Sequence, residues 1–232
     1  MTTMLVNGKF IKRHKMGFVY FHWINCVAFF MLMLTALPLY ADTFHFLYDM
    51  FGAHTLQMAH RVFAVIFILN PIVGLITARE GIFTLIKEVF SFGKRDIIFN
   101  QKFPLELIGK EPEGIPPQSF YNGGEKMNIA LQAALWAALV ISGAILWLGD
   151  GVVSTTVRTW MIPLHSLCAG VGFAAAIGHI YLAVGVNPDS LHGMKDGTIK
   201  ASYAEHHHGK WVQDLIASGK VTRDEINKAV NN

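Results

Sequence analysis

Residues 159–188 read TWMIPLHSLCAGVGFAAAIGHIYLAVGVNP, thirty residues without one Asp, Glu, Lys or Arg. A helix needs about 20 apolar residues to cross roughly 30 Å of hydrocarbon, so this stretch is long enough to span and carries His165 and His179 at membrane depth. An imidazole is costly there unless something uses it, and its natural partner is iron. At about 100° and 1.5 Å per residue, His165 and His179 share nearly one helix face, about 21 Å apart along the axis.

Three more stretches have the same character: 16–40 without a charge, 52–78 broken only by Arg61, and 127–149. The first contains His22 and the second His60. The chain is 53% hydrophobic and 15% charged, with charges concentrated outside the spans, which excludes an ordinary soluble domain. The expected fold is all-α, a polytopic four-transmembrane-helix bundle. It comprises a membrane domain over 1–188 and a tail over 189–232. Lys9, Lys12, Arg13 and Lys15 before the first span resemble the basic front of a secretory signal. However, its 25 uncharged residues exceed a signal core, and Leu39 before Ala41 is a poor cleavage site, so the segment is read as retained.

Of the Lys and Arg residues outside the spans, 17 fall on one side and only Arg158 on the other. The positive-inside rule puts both termini and the connection 79–126 in the cytoplasm. Within that connection, Gly81–Phe90 is too short to span and reads as an amphipathic helix at the inner interface. The stretch after it, with Pro104, Pro116 and Pro117, reads as loop. The tail mixes charges with Trp211, Val212, Leu215 and Ile216 and reads as helical, docking headgroups or another subunit, while His206-His207-His208 reads as a solvated cluster. Cys26 and Cys168 form no C-x-x-C-H, which excludes covalent c-type haem attachment, and they are read as packing residues. There is no internal repeat or nucleotide-binding glycine loop, and no nucleic-acid partner is expected.

Depth pairs the histidines. His22 lies about 9 Å in from the cytoplasmic end of its helix, on the inner half, and His179 reaches the same half. His60 and His165 fall on the outer half. One helix thus offers a ligand at each of two stacked levels, the construction of a bundle with two bis-histidine haems. Ala169, Gly170, Gly172, Ala174, Ala175, Ala176, Gly178, Gly143 and Ala144 supply the small residues a flat macrocycle needs. Two levels about 20 Å apart disfavour a tetrahedral zinc site. Helix-bridging histidines in a haem-free structural or transport protein remain the alternative.

The stretches Phe21-His22-Trp23, Gln57-Met58-Ala59-His60, Tyr121-Asn122-Gly123-Gly124-Glu125-Lys126, Leu164-His165-Ser166 and Gly178-His179-Ile180-Tyr181 occur in order. Together with Gly193, Met194, the turn 197–199 and His206-His207 before Trp211, they resemble the cytochrome b (gamma) subunit of membrane-bound respiratory formate dehydrogenases. The resemblance implies two b-type haems, the inner on His22 and His179 and the outer on His60 and His165. It implies an iron–sulfur subunit and a molybdenum or tungsten catalytic subunit outside a bacterial inner membrane, with formate oxidised in the latter. It further implies a quinone acceptor, generally menaquinone, reduced at the inner haem with Asn122 and Gly124 in the pocket. A higher oligomer of the complex is compatible with it. Glu125, Lys126 and Tyr121 are candidates to feed protons to the quinone, against a reading as solvated interface charges. Two features depart from the family. Arg61 follows the outer ligand, as a haem-propionate contact or as a side chain snorkelling outward, and the loop 93–118 is longer than usual. Similar four-helix cytochromes serve nickel–iron hydrogenases and thiosulfate-type reductases, which are the nearest competing partners.

Overall fold

Hydrocarbon offers the backbone no hydrogen-bond partner, so uncharged stretches of this length must close their peptide groups internally as helices. The computed structural model describes residues 4–110 and 112–231. Its elements are strands β1 (Leu5–Val6) and β2 (Phe10–Lys12), helices α1 (Met16–Ala36), α2 (Ala53–Thr77), α3 (Arg79–Phe90), α4 (Lys94–Lys102), α5 (Gly123–Leu148) and α6 (Thr155–Tyr181), strand β3 (Thr198–Lys200), and helices α7 (Ala201–His207), α8 (Gly209–Ala217) and α9 (Arg223–Asn231), with a few shorter turns between. Among the described residues, four helices are long and apolar enough to span: α1, α2, α5 and α6. The all-α, four-span expectation holds, with a small three-stranded sheet added.

Two spans start four residues before the sequence-based limits, at Gly123 and Thr155. Each start has a local cause. Asn122 Oδ1 accepts the Glu125 N–H at 2.8 Å while Glu125 Oε2 accepts the Asn122 N–H at 2.8 Å, a reciprocal capping box. Ser154 Oγ accepts the Val157 N–H at 3.3 Å.

The chain divides into two units. One comprises Tyr20–Arg79 and Ala133–Ala175. In it the spanning helices pack through large side chains and paired polar groups. Asn70 Nδ2 donates to the Phe21 carbonyl at 2.9 Å, joining α2 to α1, and Trp136 Nε1 donates to the Phe67 carbonyl at 3.1 Å, joining α5 to α2. Phe30 meets Phe173 edge-on at 6.3 Å, joining α1 to α6. A polar group in hydrocarbon that did not find such a partner would be destabilising. Apolar side chains such as Ile76, 83% exposed, point outward, as a lipid-facing surface requires.

The other unit gathers the residues up to Val19, Glu80–Gln132 and those from Ala176 onward. β2 is its central strand, pairing antiparallel with β1 and with β3, where Ile11 faces Ile199. Both isoleucines enter a core with Ala201, Ala204, Trp211, Val212, Leu215, Val221, Ile226 and Ala229. The helical tail read from sequence is therefore folded onto the N-terminal strands. Gly197 makes the turn into β3 with φ +73°, where a Cβ would also meet the His14 carbonyl oxygen at 2.2 Å.

The stretch 93–118, read from sequence as loop, contains helix α4. Asp96 explains it: one carboxylate oxygen accepts the Gly93 N–H at 2.9 Å, and the other pairs with Lys126 at 3.1 Å. Phe99 beside it is 2% exposed. Lys126 is fully buried and also pairs with Glu88 at 3.3 Å, so it is a tie between α3, α4 and the start of α5 rather than a solvated charge. The close approach of α4 requires Gly123, where a Cβ would fall 2.5 Å from the Asp96 carbonyl oxygen. Gly123→Ala is expected to lower the thermal midpoint by an overpacking cost of about 1–3 kcal/mol or more. Gly124→Ala, whose Cβ would meet side-chain atoms alone, Phe99 Cε1 at 3.3 Å, Asn122 Oδ1 at 3.4 Å and Asn100 Oδ1 at 3.7 Å, is expected to cost much less.

Candidate functional site

His60 and His165 both lie in the bundle unit, on α2 and α6. Each ring is held through Nδ1. His60 Nδ1 is 2.9 Å from Thr35 Oγ1 on α1, and His165 Nδ1 is 2.8 Å from Ser142 Oγ on α5. The helix without a histidine thus serves the site through Ser142. The next residue, Gly143, provides clearance, since a Cβ there would stand 3.2 Å from His165 Cε1. Two imidazoles from two spanning helices, each tethered by one nitrogen, are a donor set that fits haem iron. Gly170 adds open space beside α6, with nothing within 4 Å of where its Cβ would be.

His22 sits in the same unit, with Cys26 Sγ at 3.7 Å from its Nε2 and Trp23 edge-on at 5.5 Å. His179 belongs to the other unit, so the matching of these two rests on their depths in the sequence. Arg61 extends over the Trp147 ring at 5.3 Å and reaches Met58 Sδ at 3.9 Å, contacts that suit a side chain stretched towards the end of its helix.

Asn122, Gly124 and Glu125 stand together at the start of α5, in the unit that holds His179. Asn122 is buried and its Oδ1 is used by the cap, which leaves Nδ2 as the donor for an acceptor such as a quinone carbonyl. Glu125 carries more than the cap. Arg13 Nη2 lies 3.1 Å from its Oε2 and 2.5 Å from the Phe120 carbonyl oxygen. His208 Nε2 stands 4.0 Å from the same carboxylate oxygen, while its Nδ1 donates to the Ser119 carbonyl at 3.0 Å. Burial pushes the Tyr121 phenol well above its ordinary value, against the pull of Arg13, so it is a poor acid.

The run His206-His207-His208 corrects the reading as a solvated cluster. Only His206 is exposed; His207 stacks on Tyr203 at 4.3 Å, and His208 is fully buried. Burial is the largest cause holding His208 well below the usual imidazole range, with Arg13 adding to it, and burial followed by His206 takes His207 to about 4. Both are neutral at pH 7 in the fold, whereas an unfolded imidazole takes a proton near about 6.5. Acid therefore favours opening: stability of this unit falls as pH drops below about 6.5 and goes on falling to about 4, where folded His207 is protonated. Hydrogen exchange of residues 198–217, corrected for intrinsic rates, is expected to speed up between about pH 7 and about pH 5 more than that of the bundle helices.

The family described as prokaryotic cytochrome b561 matches residues 13–197, which takes in every histidine ligand candidate, Asn122 and Gly124. The chain belongs to the prokaryotic cytochrome b561 family. A cytochrome b561 is a haem b protein of a bacterial membrane that works in electron transfer, so the family supplies the iron that the donor set fits. The resemblance read from the five ordered motifs is borne out by relatives along nearly the whole chain. The formate dehydrogenase cytochrome b556 subunit of Haemophilus influenzae is 25% identical over 96% of this chain and 90% of its own length. The cytochrome b556(Fdn) subunit of the nitrate-inducible formate dehydrogenase of Escherichia coli is 25% identical over 91% of this chain and 92% of its own. The sequence points to His22, His60, His165 and His179 in this b561 protein, but not to Thr35 and Ser142, which meet two of them. Their signal was available: each is a hydroxyl within an apolar span, Thr35 on α1 and Ser142 on α5.

Proposed function

We propose that the chain is the membrane-embedded di-haem b subunit of a formate dehydrogenase complex, carrying electrons from an iron–sulfur subunit through the bilayer to a quinone, with menaquinone the first candidate. The observation that carries the reading is the tethering of His60 and His165, each with one ring nitrogen occupied and the other available to iron. The names of the relatives support formate dehydrogenase over hydrogenase or thiosulfate-reductase partners.

His60 and His165 hold the outer haem and His22 and His179 the inner. The haems supply one-electron carriers, which the protein's own groups do not. Both termini and the connection 79–126 lie in the cytoplasm, so the Asn122 site opens on the side from which protons are taken. Asn122 Nδ2 orients a quinone carbonyl. Glu125 is the proton-bearing group nearest that donor in the capping box, and Lys126 and Tyr121 are structural. Arg61 has the reach to contact an outer-haem propionate from the Trp147 end of the bundle. Formate chemistry belongs to a molybdenum or tungsten subunit.

Purification of the native complex, followed by identification of its largest subunit and assay with formate and a menaquinone analogue, tests this. Formate-dependent quinol formation with a molybdenum or tungsten subunit present is expected; a nickel–iron subunit and hydrogen-driven reduction would replace the assignment of the partner.

A further inference from the structure

The two hydroxyls that meet the outer histidines are built alike. Thr35 Oγ1 lies 2.9 Å from the carbonyl oxygen of Met31, four residues back, and 2.9 Å from His60 Nδ1. Ser142 Oγ lies 2.6 Å from the carbonyl oxygen of Ala138, also four residues back, and 2.8 Å from His165 Nδ1. A hydroxyl has one proton, and a carbonyl can only accept. Each hydroxyl therefore donates to its own helix and presents a lone pair to the imidazole, so each Nδ1 carries the hydrogen and donates it. A neutral imidazole protonated at Nδ1 has its lone pair at Nε2. The same arrangement, made twice by different residue types on different helices, leaves both Nε2 atoms in the form that binds iron.

We infer that Thr35 and Ser142 are positioning residues for the outer haem, fixing the Nδ1–H tautomer and ring orientation of His60 and His165 and raising their donor strength. The inference rests on the reading of those two histidines as axial ligands. A hydrogen bond from Nδ1–H makes an imidazole more electron-rich, which favours the ferric state and lowers the reduction potential. Ser142 is fully buried, so its hydroxyl is not held there by contact with solvent. The neighbouring Gly143 confirms that α5 is shaped around the His165 ring rather than merely adjacent to it.

The test is a potentiometric titration of the reduced-minus-oxidised spectrum in the purified complex, with haem content measured alongside. Thr35→Val, which keeps the shape and removes the hydroxyl, and Ser142→Ala are each expected to shift the midpoint of one haem to more positive potential and leave the other in place. Thr35→Ser, which restores the hydroxyl, is expected to match the wild type. Loss of one haem in Thr35→Val that Thr35→Ser retains supports the same conclusion. Unchanged midpoints in both hydroxyl-free variants with both haems present overturn it, and so does any shift or loss that Thr35→Ser shares. A His60→Ala control separates the two readings: if it leaves both haems bound, the ligand assignment has failed; if it removes one, only the role of the hydroxyls is at stake.

Discussion

Replacing His165 with Ala is expected to remove one of two b-type haems while the other stays bound, and His179→Ala is expected to remove the other. Both residues lie on α6, nearly on one face and about 21 Å apart, so each variant cuts the chain of carriers at a different level. The bands of the b-type difference spectrum are expected to fall by about half in either variant, and donor-driven quinone reduction by orders of magnitude, since losing a metal ligand removes the carrier rather than weakening it. The fold is expected to survive. Ser142 keeps its bond to Ala138 when His165 is gone, so no buried donor is orphaned and the direct cost is about 1 kcal/mol plus the lost packing. The joints at Asn70 and Trp136 are untouched. Loss of neither haem in His165→Ala would argue for a helix-bridging role.

The second large effect is expected at Asn122, where two roles overlap and can be separated. Asn122→Ala removes the N-cap of α5, at a cost of about 1 kcal/mol, and removes the Nδ2 donor together. Asn122→Asp keeps a good cap, because its oxygen still accepts the Glu125 N–H, yet places a carboxylate where the amide donor was. Both variants are therefore expected to reduce quinone turnover by about tenfold to a hundredfold, the worth of one hydrogen bond to a bound ring. Only Asn122→Ala is expected to lower the thermal midpoint. Haem reduction from the donor side is expected to proceed normally in both. Normal quinone turnover in Asn122→Asp would remove Asn122 from the site and leave it a cap alone.

The spans were legible because hydrocarbon imposes a length and a composition on any helix that crosses it, and the four histidines stood out against that background. Their immediate partners were harder to see. Thr35 and Ser142 are ordinary residues of membrane helices, and only the distances to His60 and His165 give them a role. The N-x-x-E signature at Asn122 and Glu125 was present in the sequence, but the charges of Glu125 and Lys126 drew the helix start to Met127. Lys126 shows why charge alone misleads at such a boundary: it is buried because Asp96 and Glu88 come from segments far away in sequence. His206-His207-His208 failed for the same reason. Its polar neighbours in sequence gave no sign that the Ser119 carbonyl and the core around Trp211 would enclose His208.

The most direct measurement is the number of haem b groups per polypeptide, determined by the pyridine haemochrome method on the purified complex. Two per chain, falling to one in His60→Ala and in His22→Ala, is the expected result. None, or a count of two that neither variant changes, would contradict the assignment of these histidines to a pair of haems.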